Sequence, residues 1–437
     1  MKRVAVVGSG ISGLAAAHAL APEAQVTLFE AGDYFGGHTH TVDVTLQGVT
    51  HGVDTGFLVF NERTYPKLIR LFADLGVETT TSDMSFSVQI PGPGASNRVE
   101  WSGFNLNTVF AQRSNLLQPV FWRMLKDIVR FNQLATDIAE QGRVGEWAEP
   151  IGDFLERNRF SVAFRDWYFL PMIGCIWSCP TDQMLRFPIA TMIRFCHNHG
   201  LIQVANRPQW HTVRGGAKHY VQRLLQGIPD ARLRTPVLGV KRLSSGKVAV
   251  ATAPGAELFD DVVMACHSDQ SLALLDDASA PERSVLGAIH YHPNRAVLHT
   301  DTAVLPKRPL AWAAWNYARA AELGREQAAV CLHYLINKLQ PLPWQQPVLV
   351  SLNPDPTRMP DPRQVIGSYD YSHPVFDQAA IAAQQQLPAI QGCINTWFCG
   401  AWSRYGFHED GLMSAQAVVQ SMRDAWHGKA QARREAA

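Results

Sequence analysis

The first residues able to do chemistry are Gly8-Ser9-Gly10-Ile11-Ser12-Gly13. Glycines at this spacing, after a strand and at the mouth of a helix, have separate uses: Gly8 permits a tight turn, Gly10 leaves room for backbone to approach a pyrophosphate, and Gly13 lets the helix pack on the strand. Ser9, Ile11 and Ser12 complete the loop, beside a helix N-terminus whose partial positive charge favours phosphates. Glu30 follows about 20 positions after the second glycine, where a carboxylate holds the adenosine ribose hydroxyls. With Asp33 close behind, a 2′-phosphate is repelled and NADP disfavoured. Between NAD and FAD, the second glycine pair Gly36-Gly37 points to FAD, since it lets the chain pass close under a longer ligand.

Other constellations carry less. His38 and His40, His197 and His199, and His290 and His292 are spaced in pairs, but without HExxH, a CxxC pair or a nearby acidic triad no metal is expected. Cys175 and Cys179 could stack on one helix face as a redox pair, against which Pro180 and apolar surroundings favour buried packing. No GxSxG elbow supports nucleophilic hydrolysis.

The elements that must position the loop are legible as pattern. Residues 3 to 7 (RVAVV), the Ala-rich Ser12 to Leu20, and residues 25 to 30 (QVTLFE) read as strand, helix, strand, a βαβ unit of parallel buried strands. Tyr65 to Leu75 has helical spacing, stopped by Gly76. Residues 104 to 204 read as a mainly helical insert, with long patterns such as Leu116 to Ile138. Residues 232 to 265 read as a hairpin about the turn SSGK followed by a buried strand, and 296 to 353 as a second β-rich stretch. A final helix is expected from Leu412 to Trp426.

At 437 residues and 46% hydrophobic, the chain can bury a large core in two to three domains. Thirty-nine Lys+Arg against 38 Asp+Glu leave no cationic excess of the kind that binds nucleic acid. Seven scattered cysteines read as reduced, hence a cytoplasmic protein. Gly8, Gly10 and Gly13 interrupt the apolar N-terminal run and no small-residue cleavage site succeeds it, so it does not read as a signal peptide, and no apolar stretch is long enough to span a membrane.

Several blocks together resemble the flavin amine-oxidase superfamily of monoamine oxidases, protoporphyrinogen oxidase and phytoene desaturases. They are VAVVGSGISGLAAAHAL, VTLFEA and GG at the start, VDTGFLVF at 53 to 60, VRGGAKHYVQRL at 213 to 224, the VKRLSSGKVAV and DDVVMAC segments, and CGAW with GFHEDGLMSAQAV near the end. More narrowly, GGHTHTVDV, VDTGFLVFNERTYP, MSFSV, CIWSCP, NHGL, RPQW and GFHEDG are similar to a bacterial branch often paired with cyclopropane-fatty-acyl synthase-like methyltransferases. The resemblance implies an α/β fold: a Rossmann-like FAD-binding domain of the amine-oxidase type from residues 1–80, 205–275 and 389–437, with an inserted α+β substrate domain from 81–204 and 276–388. It implies cofactor contacts from Glu30 and Ala31, from Val237 at adenine, from Asp54, Thr55, Gly56 and Phe57 near the isoalloxazine, and from the loop Glu409, Asp410, Gly411 and Leu412 at the pyrimidine edge. Two positions depart from the superfamily pattern: His38, before Thr39, stands where it has Arg on the phosphates, and Gly400-Ala401 where it has Gly-Asp on the ribityl chain.

The function this resemblance implies is that of an FAD-dependent desaturase, which removes a hydride to the flavin from a methylated unsaturated fatty acyl chain on phospholipid, with a methyltransferase as partner. His408 and Glu409, beside the expected flavin edge, are the candidates for taking the proton; the alternative is that the acidic residues there cap the last helix. Amine or polyene oxidation and a non-catalytic lipid-holding partner are the other readings. Trp167, Tyr168, Phe169, Trp177, Trp312, Trp315 and Tyr317 could wall an apolar tunnel or fill cores. The stripe Leu116, Leu117, Val120, Phe121, Met124, Leu125, Ile128 and Val129, with Arg113, Arg123, Lys126 and Arg130 interspersed, suits either the inner face of an anionic membrane or a core-facing helix.

Overall fold

The computed structural model describes residues 1–91, 98–142, 149–177, 181–203, 207–319 and 330–435. Strand Lys2–Val7 lies at the centre of a five-stranded parallel sheet, in the order Asp230–Arg232, Ala24–Phe29, Lys2–Val7, Asp261–Met264, Thr396–Phe398. Its Val4, Ala5 and Val6 are fully buried, as suits a strand covered on both faces. On one face, helix Ile11–Leu20 packs between the sheet and the C-terminal helix His408–Glu435; its run of alanines lets the backbones approach, and it is apolar nearly all round. On the other face lies an antiparallel meander of Gly239–Arg242, Val248–Thr252 and Gly255–Phe259, cored by Phe29, Val250, Phe259 and Phe398.

A second, seven-stranded sheet has the order Val365–Pro374, Tyr291–His299, Leu349–Leu352, Cys331–Leu335, Trp315–Ala318, Phe86–Ile90, Val99–Ser102. All its pairings are antiparallel except that of Trp315–Ala318 with Phe86–Ile90. Helices Pro119–Glu140, Leu170–Trp177 and Ile189–Asn198 pack with it in one core, where Phe131 meets Phe154, Phe164 and Phe169 edge-on or tilted.

Pattern and structure part in four places. The helix expected from Leu116 begins at Pro119, because residues Arg113–Leu117 form a separate 3-10 turn and proline suits a helix start. The expected hairpin gains a third strand, Gly255–Phe259, whose mostly exposed residues give no apolar signal. Strand Val365–Pro374 went unread for the same reason: only Tyr371 in it is buried. The last helix begins at His408, so the expected loop at Glu409 to Leu412 is its first turn.

Candidate functional site

A cavity of about 920 Å³ opens where the parallel strands end, at Val7, Phe29, Ala265 and Gly400, and reaches beneath the seven-stranded sheet to Phe86, Trp315 and Tyr334. Ligands of open α/β sheets bind at such carboxyl ends. The glycine loop forms its floor. Gly8 adopts φ +101°, open to glycine and strained for other residues, and a Cβ on Gly13 would lie 1.8 Å from the Gly8 carbonyl oxygen. A Cβ on Gly10 would meet nothing within 4 Å, so the loop leaves open space at the position where a pyrophosphate must approach.

Glu30 ties the sequence motifs together. Its carboxylate accepts from the Ser9 N–H at 3.0 Å, from the Ser9 hydroxyl, and from the Gly32 N–H at 2.7 Å. Gly36 in turn donates its N–H to the Ser9 hydroxyl at 3.1 Å, and a Cβ on Gly37 would stand 3.2 Å from the Gly10 Cα. Each carboxylate oxygen can accept more than one bond, so lone-pair capacity remains for ribose hydroxyls. Open space at Gly10, a helix N-terminus and a carboxylate at the cavity wall fit FAD; Glu30, Ala31, Ser9, Gly10, Ile11, Ser12 and Val237 would hold its adenosine diphosphate end.

Of the remaining expected contacts, Gly36, Gly37, His38, Thr55, Gly56, Phe57, Gly400, Ala401 and His408 also line the cavity, whereas Gly13, Thr39, Asp54, Glu409, Asp410, Gly411 and Leu412 do not. Leu412 is a core residue, 1% exposed. The Gly411 carbonyl accepts from the Ser12 hydroxyl at 2.9 Å, which fastens the last helix to the glycine loop. The Asp54 carboxylate accepts from Thr41, from the Ala217 N–H at 2.9 Å and from Gln340 Nε2 at 2.6 Å, joining three segments far apart in the chain. Burial pushes its pKa up to about 7 against those bonds.

The two catalytic candidates separate. His408 stacks on Phe57 with ring centroids 3.8 Å apart, and its Nε2 meets Thr39 Oγ1 and the Tyr220 hydroxyl, each at 2.9 Å. Burial, with His38 nearby, lowers its pKa to about 3, so it stands as a neutral ring that holds a proton poorly. Glu409 is corrected: its two oxygens accept from the Lys67 and Leu68 N–H groups at 2.8 and 2.9 Å, capping helix Pro66–Leu75 away from the cavity. Asp410 accepts from the Phe407 N–H at 3.0 Å, a cap at the start of its own helix.

One part of the remaining wall is mainly apolar, with Met84, Phe86, Met172, Ile176, Phe195 and Leu201, and with His199 stacked on Phe195 at 3.9 Å. Of the aromatics expected in a tunnel, Trp315 lines the cavity. Phe169, Trp177 and Tyr317 are buried in the core, Trp167 and Tyr168 pack at its edge, and Trp312 joins a small cluster with Val304 and Leu305. The sequence reading missed the wall contributed by Tyr371 and His373, whose period-two alternation with Tyr369 was the available signal, and by His267 and Tyr291, whose rings stack at 4.3 Å. Cys175 is buried and Cys179 lies outside the described residues. Among the described residues no group of three or more His, Cys, Asp or Glu could hold a metal ion.

The profile of a family described as flavin containing amine oxidoreductase matches residues 11–310. Carotenoid phi-ring synthase of Streptomyces griseus is 28% identical, with 70% of this chain and 59% of that protein covered, so the chain spans less than two thirds of that relative's length. Among solved structures, a fatty acid isomerase from P. acnes that produces CLA superposes with a TM-score of 0.64 at 14% identity, over 96% of this chain and 98% of the other. Cyclohexylamine oxidase from Brevibacterium oxydans does so with a TM-score of 0.65 at 15% identity, over 97% and 99%. At these identities the superpositions show a shared fold.

Proposed function

Since the chain belongs to the family of flavin containing amine oxidoreductases and is an FAD-dependent oxidoreductase, we propose that it desaturates a fatty acyl chain, methylated and already unsaturated, carried on phospholipid. The observation that carries this reading is the apolar end of the cavity, walled by Met84, Phe86, Met172, Ile176, Phe195 and Leu201, with no lysine or arginine among the described lining residues. A long hydrocarbon loses its contact with water there, while an ammonium substrate would find no carboxylate among those six side chains.

Bound FAD supplies the two-electron acceptor for a hydride. The protein's part is to orient the chain along the apolar wall. Loss of hydride from a carbon beside an alkene leaves a delocalised, cation-like chain, and a wall free of fixed cations does not oppose it. Phe57 and His408, stacked at the cavity wall, define a flat surface against which an alkene can lie. His408 acts as a neutral hydrogen-bonding wall rather than as a store for the proton, which leaves to water. A methyltransferase acting on the same lipid would supply the methylated chain.

Access to membrane lipid is supported by a patch of exposed apolar side chains at Phe104, Leu106, Leu116, Leu117, Val120 and Trp122, beside the exposed cations Arg123 and Lys126. Packed rings lie between it and the cavity: Trp122 meets Phe110, Phe110 meets Phe121, Phe121 meets Trp101, and Trp101 meets the cavity residue Phe86. No described helix is long and apolar enough to cross a membrane, so the contact proposed is peripheral, at the inner face.

The test is product analysis. Purified holoenzyme incubated in air with phospholipid bearing methylated unsaturated chains should yield chains lighter by two hydrogens in mass spectra. Unchanged lipid, alongside conversion of a carotenoid-like polyene, would favour the second reading, which the likeness to carotenoid phi-ring synthase supports.

A further inference from the structure

The cavity must take a cofactor whose pyrophosphate diester carries two negative charges, and no lysine or arginine is found among the described residues that line it. The helix N-terminus at Gly10 offers partial charge only. Full charge can come from histidine, and three such rings gather here: His38, His267 and His373. His38 comes directly after Gly37, the residue packed against Gly10 of the pyrophosphate loop. Its Nε2 is shut off from solvent and has no hydrogen-bond partner in the protein. Leaving such a nitrogen unpaired is unfavourable, and an anionic acceptor would recover that cost.

Around His38 stand His267 from the segment after Asp261–Met264, with centroids 6.2 Å apart, and Tyr371 and His373 from Val365–Pro374, at 5.1 and 5.2 Å. His408 of the last helix is close enough to act on it electrostatically. Glu30, Tyr34 and Asp370 are further titratable groups of this wall, with Cys266 and Tyr291 behind His267, and His292, paired with His373 across the two strands, acts on that ring.

We propose that His38, backed by His267 and His373, is a proton-linked cation for the cofactor's pyrophosphate, so that FAD binds together with a proton taken from solvent onto this cluster. The proposal rests on the assignment of FAD. Without the anion, burial and the neighbouring histidine hold His38 neutral, with a pKa lowered to about 4. A dianion alongside must raise it, and proton uptake results whenever the pH lies between the free and the bound value. The sign is fixed: FAD affinity falls as pH rises through that interval.

Calorimetric titration of FAD into the flavin-free full chain, in buffers of different ionisation enthalpy, counts the protons directly. Uptake approaching about one proton per FAD is expected near pH 6, and a Kd that rises by up to about tenfold per pH unit from there to pH 8. His38→Arg, with a permanent charge, should bind FAD with a flat pH profile, and His38→Gln should bind at least about tenfold more weakly at pH 6, also without slope. A Kd unchanged from pH 6 to 8 with no proton uptake, or a His38→Gln variant that keeps the slope, overturns the proposal. Absence of FAD binding at every pH would instead overturn the cofactor assignment, and this proposal with it.

Discussion

Gly10 and Gly13 stand three residues apart, yet a side chain would meet open space at one and the Gly8 carbonyl, 1.8 Å away, at the other. Gly10→Val should therefore fold, with an unchanged far-UV spectrum and unfolding midpoint, but purify without flavin absorbance. Gly13→Ala should lose about 1–3 kcal/mol in denaturant unfolding, since helix and loop must move apart. Full flavin occupancy in the valine variant would contradict the role given to Gly10. The glycine loop was legible because its chemistry is local: turn, close approach and carboxylate all fall within one βαβ unit. Glu409 was not, because the N–H groups it caps belong to Lys67 and Leu68, at the other end of the chain. Glu409→Ala should lower stability by about 0.5–2 kcal/mol without loss of flavin. Glu409→Gln should leave the rate of flavin reduction by substrate within about twofold; a fall of about 100-fold, in the range general-base loss produces, would restore it as a base.

Among elements, the βαβ unit and the helix ending at Gly76 announce themselves by apolar period, whereas strand Val365–Pro374 does not, being largely half-exposed along its length. It forms because Tyr291–His299 offers an edge to pair with, a condition met only in three dimensions. Yet this strand brings Tyr371 and His373 to the cavity. Helix Pro119–Glu140 shows the converse: its stripe was plain, but the pattern could not say which side faces the core. Phe121 and Met124 turn out fully buried, while Leu117, Val120 and Trp122 are exposed at its start. If that end meets lipid, the protein should sediment with anionic phospholipid vesicles, less so at high salt, and Leu117→Asp with Val120→Asp should abolish binding while activity on detergent-dispersed substrate persists. Equal vesicle binding by the double variant would remove this face from consideration.

For the whole molecule, the parallel sheet and the seven-stranded sheet meet around one cavity, and Asp54 is a tie between distant parts of the chain, holding Ala217 and Gln340 at once. Its carboxyl has a folded pKa raised from the ordinary 3.8 to about 7. Its contribution to stability is thus full below pH 4 and is lost as the pH rises through about 7. The stability of the native protein relative to Asp54→Asn, from urea unfolding, should fall over that interval; a difference independent of pH would mean the carboxyl titrates normally. The sequence implied two folding units through resemblance, but the meeting of their walls could not be read from it, since the lining is drawn from residues 7 to 408. What that cavity oxidises decides the function, and absorbance of the bound flavin reports it. Holoenzyme is mixed without oxygen with phospholipids whose unsaturated chains are either plain or methylated. Bleaching by the methylated lipid alone is expected, and no bleaching by either lipid, with flavin fully bound, would rule out acyl-chain desaturation.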